Sequence, residues 1–308
     1  MTIAILLILA GLVGLTIGGE LLVRGAVGIA HRMGLSHMFT GLVIVGSATS
    51  MPEMVTSIQA ALSGSPGIAW GNIIGSNIAN TLLILGAAAL ISPIILTGMG
   101  RRDAIVALIA TLLIWLIAWQ GLASSGIGIG LLALIALYVY WRYRHPRAGE
   151  GDDDEADESV PVLWKALGLF VAGLVVLVFG GQMLVNGAID IARFAGISET
   201  VIGLTIVAVG TSLPELAASV AAAMRGKSAL AIGNVVGSNI YNLLLIGGVT
   251  MTIAPLPIPA ELNDLEWPAV AASALMMVLL CSFASRINRW FGAALLMAFM
   301  AFTIILFV

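Results

Sequence analysis

Charge is scarce in this chain: only 9% of its 308 residues are Asp, Glu, Lys or Arg. That scarcity excludes an ordinary soluble domain, in which about a quarter of residues are charged. It also leaves no basic surface for nucleic acid. Cysteine is nearly missing. Cys281 stands alone in an apolar run, so there is neither a disulfide framework nor a thiolate metal cluster. His31, His37 and His145 are scattered and peripheral, and no chemistry is assigned to them. No polar stretch is long enough for a separate soluble domain. The opening segment, MTIAILLILAGLVGL, lacks a basic n-region and a cleavage site, and reads as a first span rather than a cleaved signal.

What remains is 60% apolar. Runs of membrane-spanning length recur from end to end. The expected fold is an all-α integral membrane protein with ten transmembrane helices, near 2–30, 36–62, 68–93, 103–120, 124–143, 162–192, 198–224, 230–254, 266–284 and 288–307. The first and sixth are long, which implies tilt or extension beyond the bilayer. Between the fifth and sixth lies RHPRAGEGDDDEADESVP, a linker by composition. It divides the chain into a first five-span half (1–145), an acidic linker (146–161) and a second five-span half (162–308).

Lysine and arginine placement sets the orientation. With the amino terminus outside, every basic residue except Arg24 and Arg193 falls on the inner side. This predicts a plasma (inner) membrane protein with both termini outside (periplasmic) and the linker in the cytoplasm. An odd number of spans per half makes the two halves inverted repeats.

The halves share more than a span count. GLVIVGSATSMPEMVTSI from Gly41 and GNIIGSNIANTLLILG from Gly71 recur as GLTIVAVGTSLPELAASV from Gly203 and GNVVGSNIYNLLLIGG from Gly233. Glu53 and Glu215 are 162 positions apart, and about half the residues of the first copy are identical in the second. Each copy sets one glutamate in an otherwise apolar segment. An ionisable group inside the bilayer is costly and marks function. Two of them, one per repeat, point to one ion site at a pseudo-symmetric interface.

The surrounding residues suit a hard cation. Proline inside a helix removes a donor and disturbs the carbonyl four residues back. Pro52 and Pro214 therefore predict breaks near Ala48 and Gly210. Thr49, Ser50 and Glu53 lie within a turn of the first break, and Thr211, Ser212 and Glu215 within a turn of the second. Ser76 and Asn80, four apart, share a helix face, as do Ser238 and Asn242. Asn77 and Asn239 point elsewhere and tie or cap the broken helices. The pooled set is all oxygen, which fits calcium or sodium and not a soft metal. With no lysine or arginine in these segments, the site carries a charge near −2. One calcium, two or more sodium ions, or protons would neutralise it. The plainer reading, glycine and small polar residues for close helix packing, does not explain why both copies carry the same glutamate.

At these residues the chain resembles the cation/calcium antiporter superfamily, the sodium/calcium exchanger-like proteins, and especially the small prokaryotic members. The resemblance covers the whole chain. It implies four short core helices around the ion sites, with two long tilted helices, spans 1 and 6, sliding across them in alternating access. It implies that Glu53 and Glu215 are shared by calcium and sodium, and that Thr49 and Thr211 are calcium ligands. Ser50, Ser76, Ser212 and Ser238 would complete the flanking sodium sites. The carbonyls of Gly46 and Ala208 would contribute, and Asn80 and Asn242 would sit at the middle position. The implied activity is exchange of sodium for calcium, with no cofactor, no catalysis, and no partners beyond the two ions and membrane lipid. Some relatives, including potassium-dependent ones, carry aspartate where this chain has Asn242, so no potassium requirement is expected. A proton/calcium or other divalent cation antiporter of the same fold is the alternative. A channel or an intramembrane protease fits the duplicated oxygen sets less well.

Four other features have local readings. Glu20 and Arg24 form an intrahelical pair. Asp190 and Arg193 form another. The acidic run from Asp152 to Glu158 is a solvated linker without the spacing of a calcium-binding loop. Trp70, Trp115, Trp119, Trp141, Trp164, Trp267 and Trp290 fall mostly near span ends, as interfacial anchors do.

Overall fold

The structure is a computed structural model that describes residues 2–96, 98–145, 161–194 and 208–306. The acidic linker, the first part of the span expected at 198–224 and the Arg193 side chain lie outside the described residues. The chain is mostly helical. We label α1 (Thr2–Met33), α2 (His37–Thr49), α3 (Met51–Leu62), α4 (Pro66–Ile91), α5 (Arg101–Trp119) and α6 (Ser125–Arg144). The second half contains α7 (Leu163–Phe194), α8 (Ala208–Thr211), α9 (Leu213–Met224), α10 (Ser228–Ile253), α11 (Glu266–Phe283) and α12 (Arg289–Ile305). Ile94–Ile95 (β1) pairs antiparallel with Arg286–Ile287 (β2), a small departure from an all-helical chain.

Seven helices among the described residues are long and apolar enough to cross a membrane, and an eighth is added if α2 and α3, bent by 44°, count as one. The shorter α9 and α12 are apolar as well. Large apolar side chains such as Ile3, Leu6, Ile109, Leu137 and Val171 are exposed around the outside. Such a surface is stable only against lipid.

Helices α1 and α7 each have 32 residues, about 48 Å at 1.5 Å per residue. Both exceed the ~30 Å hydrocarbon core. They pack on each other through small residues spaced seven apart: Gly11, Gly18 and Gly25 against Ala166, Gly173 and Gly180. A Cβ on Gly11 would stand 2.6 Å from the Leu184 nitrogen, and one on Gly18 2.8 Å from the Leu177 nitrogen. Backbones that close need glycine. Gly11 lies by Leu184 while Gly25 lies by Ala166, so the two helices run antiparallel.

The remaining helices interlock across the halves. The end of α4 packs on α12, where a Cβ on Gly292 would meet the Gly86 carbonyl at 2.7 Å. The end of α10 packs on α6 in the same way, through Gly128 and Gly248. In α10, Ser228–Ile240 is buried throughout. Trp70 and Trp267 are fully buried in this core, so they are packing residues rather than interfacial anchors. Arg142, expected in an inner loop, is also buried. Its Nε donates to Asp103 Oδ1 at 2.8 Å, and Tyr138 donates to the same oxygen at 2.7 Å, tying α6 to α5.

Candidate cation site

The chain breaks at Ser50 and Ser212, the residues that cap α3 and α9. Pro52 and Pro214 lie in the first turns of these helices. Proline is tolerated there because first-turn amides have no intrahelical partner. The prolines therefore open new helices rather than interrupt old ones, which corrects the expected position of the break by a few residues. Both helices end at left-handed glycines, Gly64 (φ 72°) and Gly226 (φ 71°). Each hairpin then returns as α4 or α10.

Both returning helices loosen where the second motif ends. Asn80–Ile84 and Tyr241–Ile246 are π-helical, as is Thr40–Val45 in α2. A π turn inserts a residue and rotates the face that follows, and such turns occur often at functional sites. Asn80 and Asn242 sit on these turns, so a simple four-residue spacing does not describe where they point.

The two glutamates are 1% exposed and are engaged across the repeats. Ser50 Oγ donates to Glu215 Oε1 at 3.0 Å, and Ser212 Oγ donates to Glu53 Oε1 at 3.0 Å. Ser212 Oγ also lies 3.5 Å from Ser76 Oγ. Asn80 donates to Asn239 Oδ1 at 3.0 Å, and Asn239 in turn donates to Thr81 Oγ1 at 3.0 Å. Asn239 thus ties the repeats together, whereas Asn77 bonds only within its helix, to the Ile73 carbonyl. Thr49 is buried and lies within 3.3 Å of Asn234 Oδ1. Thr211 closes α8 beside the second break, and Ala208 opens that helix. The Gly46 carbonyl accepts the Ser50 amide at 3.2 Å.

Several oxygens of this cluster are buried without a hydrogen-bond partner: Glu53 Oε2, Glu215 Oε2, Asn80 Oδ1, Asn242 Oδ1 and Ser238 Oγ. Leaving a buried acceptor unmet costs about 1–3 kcal/mol, and more for a charged one. No lysine or arginine occurs in α2, α3, α4, α8, α9 or α10 to offset the two carboxylates. A hard cation meets both deficits at once. Among the described residues there is no group of three or more His, Cys, Asp or Glu. The site is therefore two carboxylates supplemented by neutral oxygens.

The family model described as sodium/calcium exchanger protein matches residues 3–144 and 165–308. The chain belongs to the sodium/calcium exchanger family. As an exchanger it resembles CaxA of Alkalimonas amylolytica, with 39% identity over 100% of this chain and 99% of that protein. It also resembles the sodium/calcium exchanger MaX1 of Methanosarcina acetivorans, with 35% identity over 99% of each chain. Among solved structures, the sodium-calcium exchanger NCX_Mj soaked with sodium and strontium superposes with a TM-score of 0.85 at 33% identity, over 97% of each chain. The chain is thus a multi-pass membrane antiporter for calcium, in a family of transporters rather than of catalysts.

Four residues beside the candidate site escape the motif reading. Asn72 donates to the Glu53 carbonyl at 3.1 Å and to Ser57 Oγ at 2.9 Å. Asn234 donates to the Glu215 carbonyl at 3.2 Å and to Ser219 Oγ at 2.8 Å. These bonds clamp α3 to α4 and α9 to α10 at the glutamates themselves. All four are identical between the copies at matching positions, and that identity was the available signal. The pair at Glu20 is also wider than expected. Besides Arg24 at 2.8 Å, it includes Arg225, which follows α9.

Proposed function

We propose that this exchanger couples sodium entry to calcium movement across the plasma (inner) membrane by alternating access. Glu53 and Glu215 would be shared between the competing ions. Thr49 and Thr211 would serve calcium, and Ser50, Ser76, Ser212 and Ser238 the flanking sodium ions. Asn80 and Asn242 would lie between them, with the carbonyls of Gly46 and Ala208 completing the shells. The observation that carries this reading is the set of unpartnered buried oxygens around two carboxylates from opposite repeats. Two ions that need the same carboxylates exclude one another, which is the physical basis of antiport.

The ten-span, two-repeat architecture belongs to the same reading: 1–145 and 162–308 as inverted halves, 146–161 as a cytoplasmic linker, both termini outside. It is supported by the antiparallel packing of α1 on its repeat partner α7 and by the one-sided distribution of basic residues. Helices α1 and α7 lie against α9, where a Cβ on Gly19 would stand 3.0 Å from the Ala217 carbonyl. On the matching α3, Met51, Val55 and Leu62 are exposed. Among the described residues the long pair covers α9 and leaves these side chains of α3 exposed. Sliding it to α3 would reverse the side of access.

The test uses sodium-loaded vesicles diluted into sodium-free buffer, with calcium uptake followed and the proton gradient varied independently. Uptake that needs internal sodium and falls to background in Glu53→Gln and Glu215→Gln is the expected result. Uptake that follows the proton gradient alone would reassign the coupling ion. Flux that survives both substitutions would remove the central site.

A further inference from the structure

We infer that Asn234 is a positioning residue that sets the spacing between Thr49 and Glu215 across the two repeats, and so favours calcium over sodium. The inference rests on the sodium/calcium reading above. Asn234 is 1% exposed. Its amide nitrogen gives both hydrogens to the second repeat, to the Glu215 carbonyl and Ser219 Oγ. Its Oδ1 faces Thr49 Oγ1 of the first repeat at 3.3 Å. The amide cannot be flipped, because a carbonyl at Glu215 has no proton to give to an oxygen. Thr49 has one hydroxyl hydrogen and three acceptors in reach, the Val45 carbonyl at 3.1 Å, Asn234 Oδ1 at 3.3 Å and the Gly46 carbonyl at 3.5 Å. It is therefore held between its own helix and the opposite clamp.

The matching residue does less. The bonds of Asn72 to the Glu53 carbonyl and Ser57 stay within its own repeat. Both asparagines brace a hairpin, and only Asn234 also joins the halves. That difference matters most to an ion needing oxygens from both halves at once. Calcium collects six to eight oxygens at about 2.3–2.6 Å, so its site loosens if the halves lose their fixed separation. A monovalent ion, with half the charge, gains less from holding both halves together.

The experiment compares the full chain with Asn234→Ala and Asn72→Ala in reconstituted vesicles. It reads calcium half-saturation, sodium half-saturation and maximal rate. Removing an outer partner of a metal ligand costs about 10–100-fold in affinity. Asn234→Ala is expected to raise calcium half-saturation at least about tenfold while sodium half-saturation stays within about twofold. Asn72→Ala is expected to move both ions together. Unchanged calcium half-saturation in Asn234→Ala, or parallel shifts for both ions, overturns the inference. If Asn234→Ala does not fold, Asn234→Ser keeps a shorter polar group and gives the same comparison. Radioactive calcium binding to the purified protein, competed by sodium, repeats the measurement without transport. Failure of sodium-coupled uptake in the unmodified chain would then count against the proposed function alone.

Discussion

The two hairpins that hold the glutamates match almost bond for bond, and the helices around them do not. In the hairpins, serine-to-glutamate bonds of 3.0 Å cross in both directions, and each asparagine clamp makes the same two contacts. Outside, the first half has the buried Asp103–Tyr138–Arg142 cluster between α5 and α6. In α11 and α12 the charges are confined to the first residue of each helix, Glu266 and Arg289. Glu20 of α1 reaches Arg225, whereas the positions 162 further on and back are Gln182 and Ser63. In the proposed alternating access, an ion approached from two sides in turn needs equivalent ligands on both. The scaffold carries no such requirement, and there the repeats are free to differ.

The largest expected effect breaks the unmatched scaffold. Asp103 and Arg142 are 0% and 2% exposed. Removing one partner of a buried pair leaves an uncompensated charge and costs about 3–5 kcal/mol. Asp103→Ala should lower the thermal unfolding temperature of the purified protein sharply. Asp103→Leu combined with Arg142→Met should recover much of the loss, because an apolar pair needs no charge partner. A double variant no better than Asp103→Ala would show that the cluster does more than join α5 to α6.

The next prediction sharpens the matched part. Ser50→Ala and Ser212→Ala each delete one hydrogen bond to a buried carboxylate. Such bonds are worth about 1.5–3 kcal/mol, which is roughly ten- to a hundredfold in binding. Because the two bonds have equal length and both serines are assigned to the flanking sodium ions, the two variants should raise sodium half-saturation by similar factors. A disparity of tenfold or more would mean that the halves are equivalent in geometry and not in function.

The sequence made the matched region legible and the unmatched region nearly opaque, for physical reasons. Membrane class, the duplicated motifs, and the role of Ser50, Ser212 and the glutamates as one oxygen cluster follow from composition and repetition. The clamps at Asn72 and Asn234 were visible only as identities between the copies, since their bonds join two helices of a hairpin. The π turns at Asn80 and Tyr241 depend on tertiary packing and leave no periodic signal. Arg142 reads as an ordinary basic residue near a span end. Only the fold brings Asp103 beside it, 39 residues away in sequence. Trp70 and Trp267 show the same limit, because proximity to a span end does not say whether a ring meets lipid or core.

The smallest effect concerns the polar contact between the long helix α1 and the second hairpin. Glu20 accepts from Arg24 in its own helix and from Arg225 at the end of α9, so it fastens α1 to the second hairpin. Its side chain is 38% exposed, that of Arg225 33% and that of Arg24 56%. Solvent and salt screen such a cluster, and exposed pairs contribute about 0–1 kcal/mol. The glycine seam with α7 stays intact in either case, so Glu20→Gln should leave the protein assembled and shift unfolding only slightly, with the difference vanishing at high salt. A salt-insensitive loss of several kcal/mol would place this pair with Asp103 and Arg142, as a contact the fold depends on. A small, screened effect would keep it as a reversible contact between the two bodies that slide past one another in the proposed mechanism.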